Sequence, residues 1–147
     1  MNRQELAKNY FLKGYNCTQA VVLAFKDYLN LDEETLIKIS TPFGGGFSRL
    51  REVCGAFSGV CIVIGYKYSS TDPSKKLETY KIIQQLADEF KKVNGHLVCR
   101  NLLNLDHNKD NPVPTNRDAH YYSSRPCVKI IESAAAILEK YINDHPN

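Results

Sequence analysis

Val53-Cys54-Gly55-Ala56-Phe57-Ser58-Gly59-Val60-Cys61-Ile62-Val63-Ile64-Gly65-Tyr66 is the stretch on which the fold turns. Small and apolar residues fill it, and Val60 to Ile64 reads either as a buried strand or as part of a buried helix, because so short an apolar run has no period of its own. Three glycines weaken it as a free helix by roughly 0.8–1 kcal/mol each relative to alanine, so packing must compensate. Helix is the favoured reading. Gly55 and Gly59 then lie one turn apart and admit a neighbouring backbone, while Cys54 and Cys61, seven residues apart, share another face.

Helical signals continue on both sides. Upstream, Asn2 with Glu5 forms an N-terminal capping pattern before Leu6, Tyr10 and Lys13, a helix that stops at Gly14. Asn16 caps a second helix whose stripe of Cys17, Ala20, Val21, Ala24 and Tyr28 faces the core. Asp32, Glu33 and Glu34 open a third, their charges favoured by the helix dipole, and Thr41-Pro42 closes it before a Gly44-Gly45-Gly46 loop. Downstream, Asp72-Pro73 starts a long helix with Leu77, Tyr80, Ile83, Ala87 and Phe90 inward, ending at Gly95. A short helix over Leu97 to Leu105 carries Cys99, Asp106 to Ser124 is a long loop, and a last helix from about Ser124 to Pro126 onward presents Cys127, Ile130, Ile131, Ala134, Leu138, Tyr141 and Ile142. No repeat or alternating strand pattern interrupts this, so the expectation is an all-α, single-domain bundle over residues 1–147 with about five to seven helices, short ones included.

Composition agrees and narrows the function. Of 147 residues, 43% are hydrophobic and 24% charged, as in an ordinary globular domain. No apolar run approaches the roughly 20 residues of a membrane span, which predicts no membrane insertion. The charged N-terminal residues do not resemble an export signal, which predicts a cytoplasmic protein. Nineteen basic against sixteen acidic side chains, scattered rather than clustered, predict no nucleic-acid partner. Five cysteines in a reducing compartment point to metal or redox chemistry rather than to a disulfide framework.

Cys17, Cys54, Cys99 and Cys127 fall at or near the first turn of four different helices, where free N–H groups favour a thiolate. A thiolate there is both nucleophile and metal ligand, and a pKa lowered below the ordinary value of roughly 8.5 is expected. Arginines stand close in sequence: Arg49 and Arg51 before Cys54, Arg100 after Cys99, Arg125 before Cys127. A lone cysteine is most simply a small core hydrophobe, which is the reading for Cys61. Four at helix starts point to a shared site. No Cys-x-x-Cys pair, ribbon or ferredoxin spacing is present, so any such site must be assembled by the fold from facing helices, where four thiolates satisfy zinc or an iron–sulfur cluster. Cys54, following the flexible glycine loop, is expected to be the most accessible.

The stretch from Gly14 to Val21, the Cys54-Gly55-Ala56-Phe57-Ser58-Gly59 segment after a triple glycine, Cys99-Arg100 and Cys127 together resemble the C_GCAxxG_C_C family. The resemblance covers nearly the whole chain, with Cys54-Gly55-Ala56 where the family label writes Gly-Cys-Ala and Cys61 as an additional thiol. It implies a helical, redox-active or cluster-binding protein, often associated with transporter or oxidoreductase systems, and names no substrate. The competing function is a non-enzymatic adaptor with structural cysteines. Gly45, Gly46, Gly55 and Gly59 are the residues expected to let backbone approach a cofactor, although a sharp turn before Cys54 explains the triple glycine more simply. His96, three residues before Cys99, reads as a surface histidine beside Gly95 more readily than as a ligand. His107 and His120 lie in the long loop, His120 being a reserve candidate beside Tyr121, Tyr122 and Cys127.

Overall fold

A computed structural model describes residues 2–147. Eight right-handed α-helices succeed one another among the described residues: α1 (Arg3–Leu12), α2 (Cys17–Ala24), α3 (Glu33–Ser40), α4 (Gly55–Tyr68), α5 (Lys76–Asn94), α6 (Cys99–Leu102), α7 (Ala119–Ser124) and α8 (Cys127–Asp144). The chain is all-α, with one helix more than expected because the long loop contains the short α7.

The helix starts form for local reasons. The Asn2 side chain accepts the Glu5 N–H at 2.8 Å, and Asp32 accepts the Thr35 N–H at 2.8 Å. Asn16 and Gln19 satisfy each other's backbone donors reciprocally, closing a full capping box. Downstream, Gly95 at φ 90° ends α5 in a conformation that costs glycine little.

Residues 60–64 lie inside α4, which overturns the strand alternative. The reason is its neighbour. A Cβ on Gly59 would sit 2.9 Å from Val21 Cβ and 3.0 Å from the Thr18 carbonyl, so α2 and α4 cross at a separation only glycine allows. Helix α2 is buried on nearly every side from Thr18 to Ala24, and one continuous core joins it to α1, α4, α5 and α8. In α8 the expected stripe of Ile130, Ile131, Ala134, Leu138, Tyr141 and Ile142 is buried.

Two inward assignments and two helix bounds are corrected. Leu77 and Tyr80 are 60% and 59% exposed, because the first turns of α5 project past the bundle and only Leu86 and Phe90 reach the core interior. Tyr28 lies beyond the end of α2, in a 3₁₀ turn over Lys26–Tyr28. The helix expected over Leu97 to Leu105 shrinks to Cys99–Leu102, since Leu97 and Val98 are extended and pair with Glu52 to Cys54 instead.

Candidate thiol site

The four thiols are delivered by helix starts. Cys17 is the first residue of α2, Cys99 of α6 and Cys127 of α8, and Cys54 is the residue capping α4. All four line one pocket of about 420 Å³. Cys61, one side of α4 away and half-buried, does not line it; burial pushes its thiol up to about 11.

Two backbone devices bring the sites together. First, residues 52–54 and 97–99 form an isolated antiparallel bridge at Val53 and Val98. The Cys54 N–H donates to the Leu97 carbonyl at 2.9 Å and the Cys99 N–H donates to the Glu52 carbonyl at 2.6 Å, which brings two chain-distant thiols to the same pocket. Second, Gly45, Gly46, Phe47, Ser48 and Arg49 have consecutive φ values of 71, 68, 67, 52 and 69°, a left-handed helical turn. Such a turn costs roughly 1–2 kcal/mol per residue outside glycine, and its Phe47–Arg49 part must be held by surrounding contacts. The Leu50 and Glu52 N–H groups close it onto the Phe47 and Gly46 carbonyls at 2.9 Å each. Its product is the direction of the chain leaving Arg49, which turns Arg51 inward.

The cysteines differ in access. Cys54 and Cys99 are 7% and 8% exposed, whereas Cys17 and Cys127 are half-buried. The expectation that Cys54 is the accessible thiol is therefore wrong: it is packed into the hydrophobic core at the start of α4. Cys17 is pressed against the start of α4, where a Cβ on Gly55 would collide with Cys17 Sγ.

Burial also overturns the expected lowering of the thiol pKa at three sites. Desolvation, reinforced by a charge on Cys17, pushes Cys54 well above the ordinary thiol range although the Phe57 and Ala56 N–H groups pull the other way. Burial and the same neighbour push Cys127 up to about 12. Cys99 is also raised by burial, against the opposing pull of Arg51. A helix N-terminus offers a fraction of a charge, which loses to removal from water in an apolar wall. Cys17 contributes to the upward push on all three, which places it at the electrostatic centre of the group.

The arginines pair differently from their sequence neighbourhood. Arg51, 2% exposed, donates from Nη1 toward Cys99 Sγ at 3.6 Å and from Nε to Asp110 at 2.7 Å. Asp110 in turn meets His107 Nε2 at 2.7 Å. Burial opposes the Asp110 charge, but the hydrogen bonds from Arg51 and His107 outweigh it and hold the carboxyl below its usual range. Arg49 ties the long loop down, with Nε to the Asn111 carbonyl and Nη1 to Thr115, both at 2.7 Å. Arg100 pairs with Glu52 at 3.3 Å, and Arg125 rests on the Tyr121 ring at 4.9 Å.

Of the glycines expected to approach a cofactor, Gly45 and Gly55 line the pocket. Gly46 does not; it packs on Cys99, where a Cβ would meet Cys99 Cβ at 2.7 Å. Gly59 serves the α2–α4 crossing. His96 and His120 are exposed, and His107 binds Asp106 and Asp110 rather than a thiol. The long loop supplies pocket residues that sequence reasoning did not single out: Thr115, Arg117 and the prolines Pro112 and Pro114. Their only signal was the prolines themselves, in a loop longer than a connection needs.

A family model described as "Putative redox-active protein (C_GCAxxG_C_C)" matches residues 15–141. The chain belongs to this family. The four cysteines of the C_GCAxxG_C_C label correspond to Cys17, Cys54, Cys99 and Cys127, with Cys54-Gly55-Ala56 where the label writes Gly-Cys-Ala, and all four line the pocket. No curated protein and no solved structure matches the chain. Among the described residues, no group of three or more His, Cys, Asp or Glu side chains is placed to hold a metal ion. Nor is any helix long and apolar enough to cross a membrane among them.

Proposed function

We propose that this C_GCAxxG_C_C protein is a thiol–disulfide redox protein in which Cys17 reacts with substrate and a second pocket thiol completes the exchange. The single observation that carries the reading is the meeting of four chain-distant thiols in one pocket, with the half-exposed Cys17 at the start of α2. In the reductive direction, the Cys17 thiolate attacks one sulfur of a substrate disulfide. The substrate S–S bond breaks, a mixed disulfide forms, and the leaving thiolate takes a proton from solvent. Cys54, Cys99 or Cys127, once deprotonated, then attacks the Cys17 sulfur, releasing the second substrate thiol and leaving a protein disulfide. Two electrons pass from the protein to the substrate, and a dithiol donor restores the starting state.

Cys99 is the favoured resolving thiol, because the Arg51 guanidinium beside it stabilises the thiolate that must form. The test is to oxidise reduced protein with a small disulfide and to map the products by mass spectrometry. Loss of two thiols per chain, reversed by dithiothreitol and abolished by Cys17→Ser, is the expected result. Four thiols that stay reduced at pH 7 under excess disulfide, in protein that remains folded, refute it.

A second reading, a helical adaptor for a transporter or an oxidoreductase with cysteines as packing residues, is favoured by the place of Cys54 in the hydrophobic core. Replacing all four pocket cysteines by alanine separates the two: partner binding that survives with full function in the cell supports the adaptor, and lost activity in a folded protein supports the redox role.

A further inference from the structure

The pocket carries more positive charge than the one carboxylate beside it, Asp110, balances. Arg49, Arg51, Arg117 and Arg125 line it, and no Asp or Glu does among the described residues. Only Arg51 of these four has a carboxylate partner there; the other arginine ion pairs belong to Arg3 and Arg100. Arg117 spends its guanidinium on the Phe11 and Tyr15 carbonyls, which are neutral acceptors. Burial draws the Arg49 guanidinium below its usual pKa, and the charges of Arg51 and Arg125 draw it the same way against the opposing pull of Asp110.

One atom is left over. Arg51 Nη2 is buried and has no hydrogen-bond partner, although Nε and Nη1 of the same group are engaged by Asp110 and Cys99. A buried donor on a charged group is costly when unsatisfied, and natural structures rarely leave one without an acceptor. A side chain that lines a cavity, with its donor free and three more cations around it, is suited to an anionic oxygen. Guanidinium groups match carboxylate and phosphate geometry through paired donors.

We infer that the thiol pocket binds a small anion through Arg51, with Arg49, Arg117 and Arg125 supplying the surrounding charge, and that the molecule reacting at Cys17 is a small anionic disulfide. The second half rests on the proposed thiol–disulfide function; the first half stands without it. The anionic group anchored at Arg51 would hold the substrate's S–S bond in the same cavity as Cys17, and the pocket's apolar wall, including Leu102, Ile130 and Ile131, fits a short hydrocarbon linker between charge and sulfur.

Three disulfides of similar length test this: 3,3′-dithiodipropionate, anionic; bis(2-hydroxyethyl) disulfide, neutral; and cystamine, cationic. Each rate of reaction with reduced protein is divided by that reagent's rate with 2-mercaptoethanol under the same conditions, which removes leaving-group differences. The expected order is anionic, neutral, cationic, with about tenfold or more between the extremes. The preference shrinks at high salt and in Arg51→Met. Arg125→Gln, which removes a guanidinium resting on a ring rather than on a carboxylate, shrinks it too and serves if Arg51→Met does not fold. Equal normalised rates, or a preference for cystamine, overturn the anionic-substrate assignment.

Calorimetry of folded Cys17→Ala protein with 3,3′-dithiodipropionate and with sulfate reads the anion site without any exchange. Saturable binding that Arg125→Gln weakens upholds the site even if the wild-type thiols prove inert, an outcome that would remove only the redox reading. Exchange at Cys17 with no charge preference and no saturable anion binding does the reverse.

Discussion

Arg51 and Asp110 form the best-buried ion pair of the protein, with side chains 3% and 23% exposed. Asp110→Asn keeps an acceptor for Nε but leaves the guanidinium without its counter-charge, and we expect a loss of about 1–3 kcal/mol near neutral pH, read from denaturant midpoints. The pH dependence has a definite sign. The Asp110 carboxyl is held below its ordinary value, so its contribution is present above an unfolded pKa of about 3.9 and is lost as pH falls through the folded value. His107 is raised by hydrogen bonds to Asp106 and Asp110, so its contribution is present below an unfolded pKa of about 6.5 and fades as pH climbs through the folded value. The difference between wild type and Asp110→Asn should therefore be widest between those limits and narrow in acid; a constant difference down to pH 2 would contradict the pairing. The thiols carry a second expectation. With a pKa of about 12, Cys127 is thiolate at pH 7 only in a fraction on the order of 10⁻⁵, so iodoacetamide should label Cys17 before Cys127 and Cys54, with Cys127 labelling accelerating about tenfold per pH unit. Equal labelling of all four at pH 7, followed by peptide mass spectrometry, would contradict the burial argument.

Glycines of α4 and of the preceding turn do opposite work, and substitution separates them. Gly46 has φ 68° and its added Cβ would fall 2.7 Å from Cys99 Cβ and 2.8 Å from the Glu52 backbone nitrogen. Gly46→Ala should cost about 2–3 kcal/mol, combining left-handed strain with overpacking against backbone that cannot retreat. Gly65, inside α4, has nothing within 4 Å of such a Cβ. Gly65→Ala should stabilise by about 0.5–1 kcal/mol because the unfolded chain loses freedom while the helix accepts the methyl. Thermal melts of the two variants check the pair, and a stabilised Gly46→Ala would mean that the left-handed turn is not as described. Periodicity and caps made most elements readable: Asn2, Asn16 and Asp32 start helices where they were expected to. The bridge at Val53 and Val98 was not readable, since a single pair of extended residues has no period, and neither was the left-handed turn, which places Phe47, Ser48 and Arg49 where their side chains are disfavoured.

Across the molecule, α8 packs on α1, α2, α4 and α5 and carries Cys127 at its start, so its core residues hold the pocket together as well as the bundle. Leu138 is fully buried on it, and Leu138→Ala should cost about 2–5 kcal/mol in denaturant unfolding while leaving the helix itself intact. A loss under 1 kcal/mol would place Leu138 outside the core. The chain's own order of residues sufficed for what is local: helix starts and ends follow from caps, glycines and prolines within a few positions, and the apolar stripe of α8 follows from a 3.6-residue period. It also sufficed to single out four cysteines at those starts. Which of them water reaches, which arginine faces which sulfur, and that the loop from residue 106 to 124 roofs a cavity were decided by tertiary packing. Burial and charge pairing depend on groups brought close in space from far along the chain: Asp110 lies 59 residues from the Arg51 it holds, and Cys99 lies 48 from the same side chain. No window read along the sequence contains both partners.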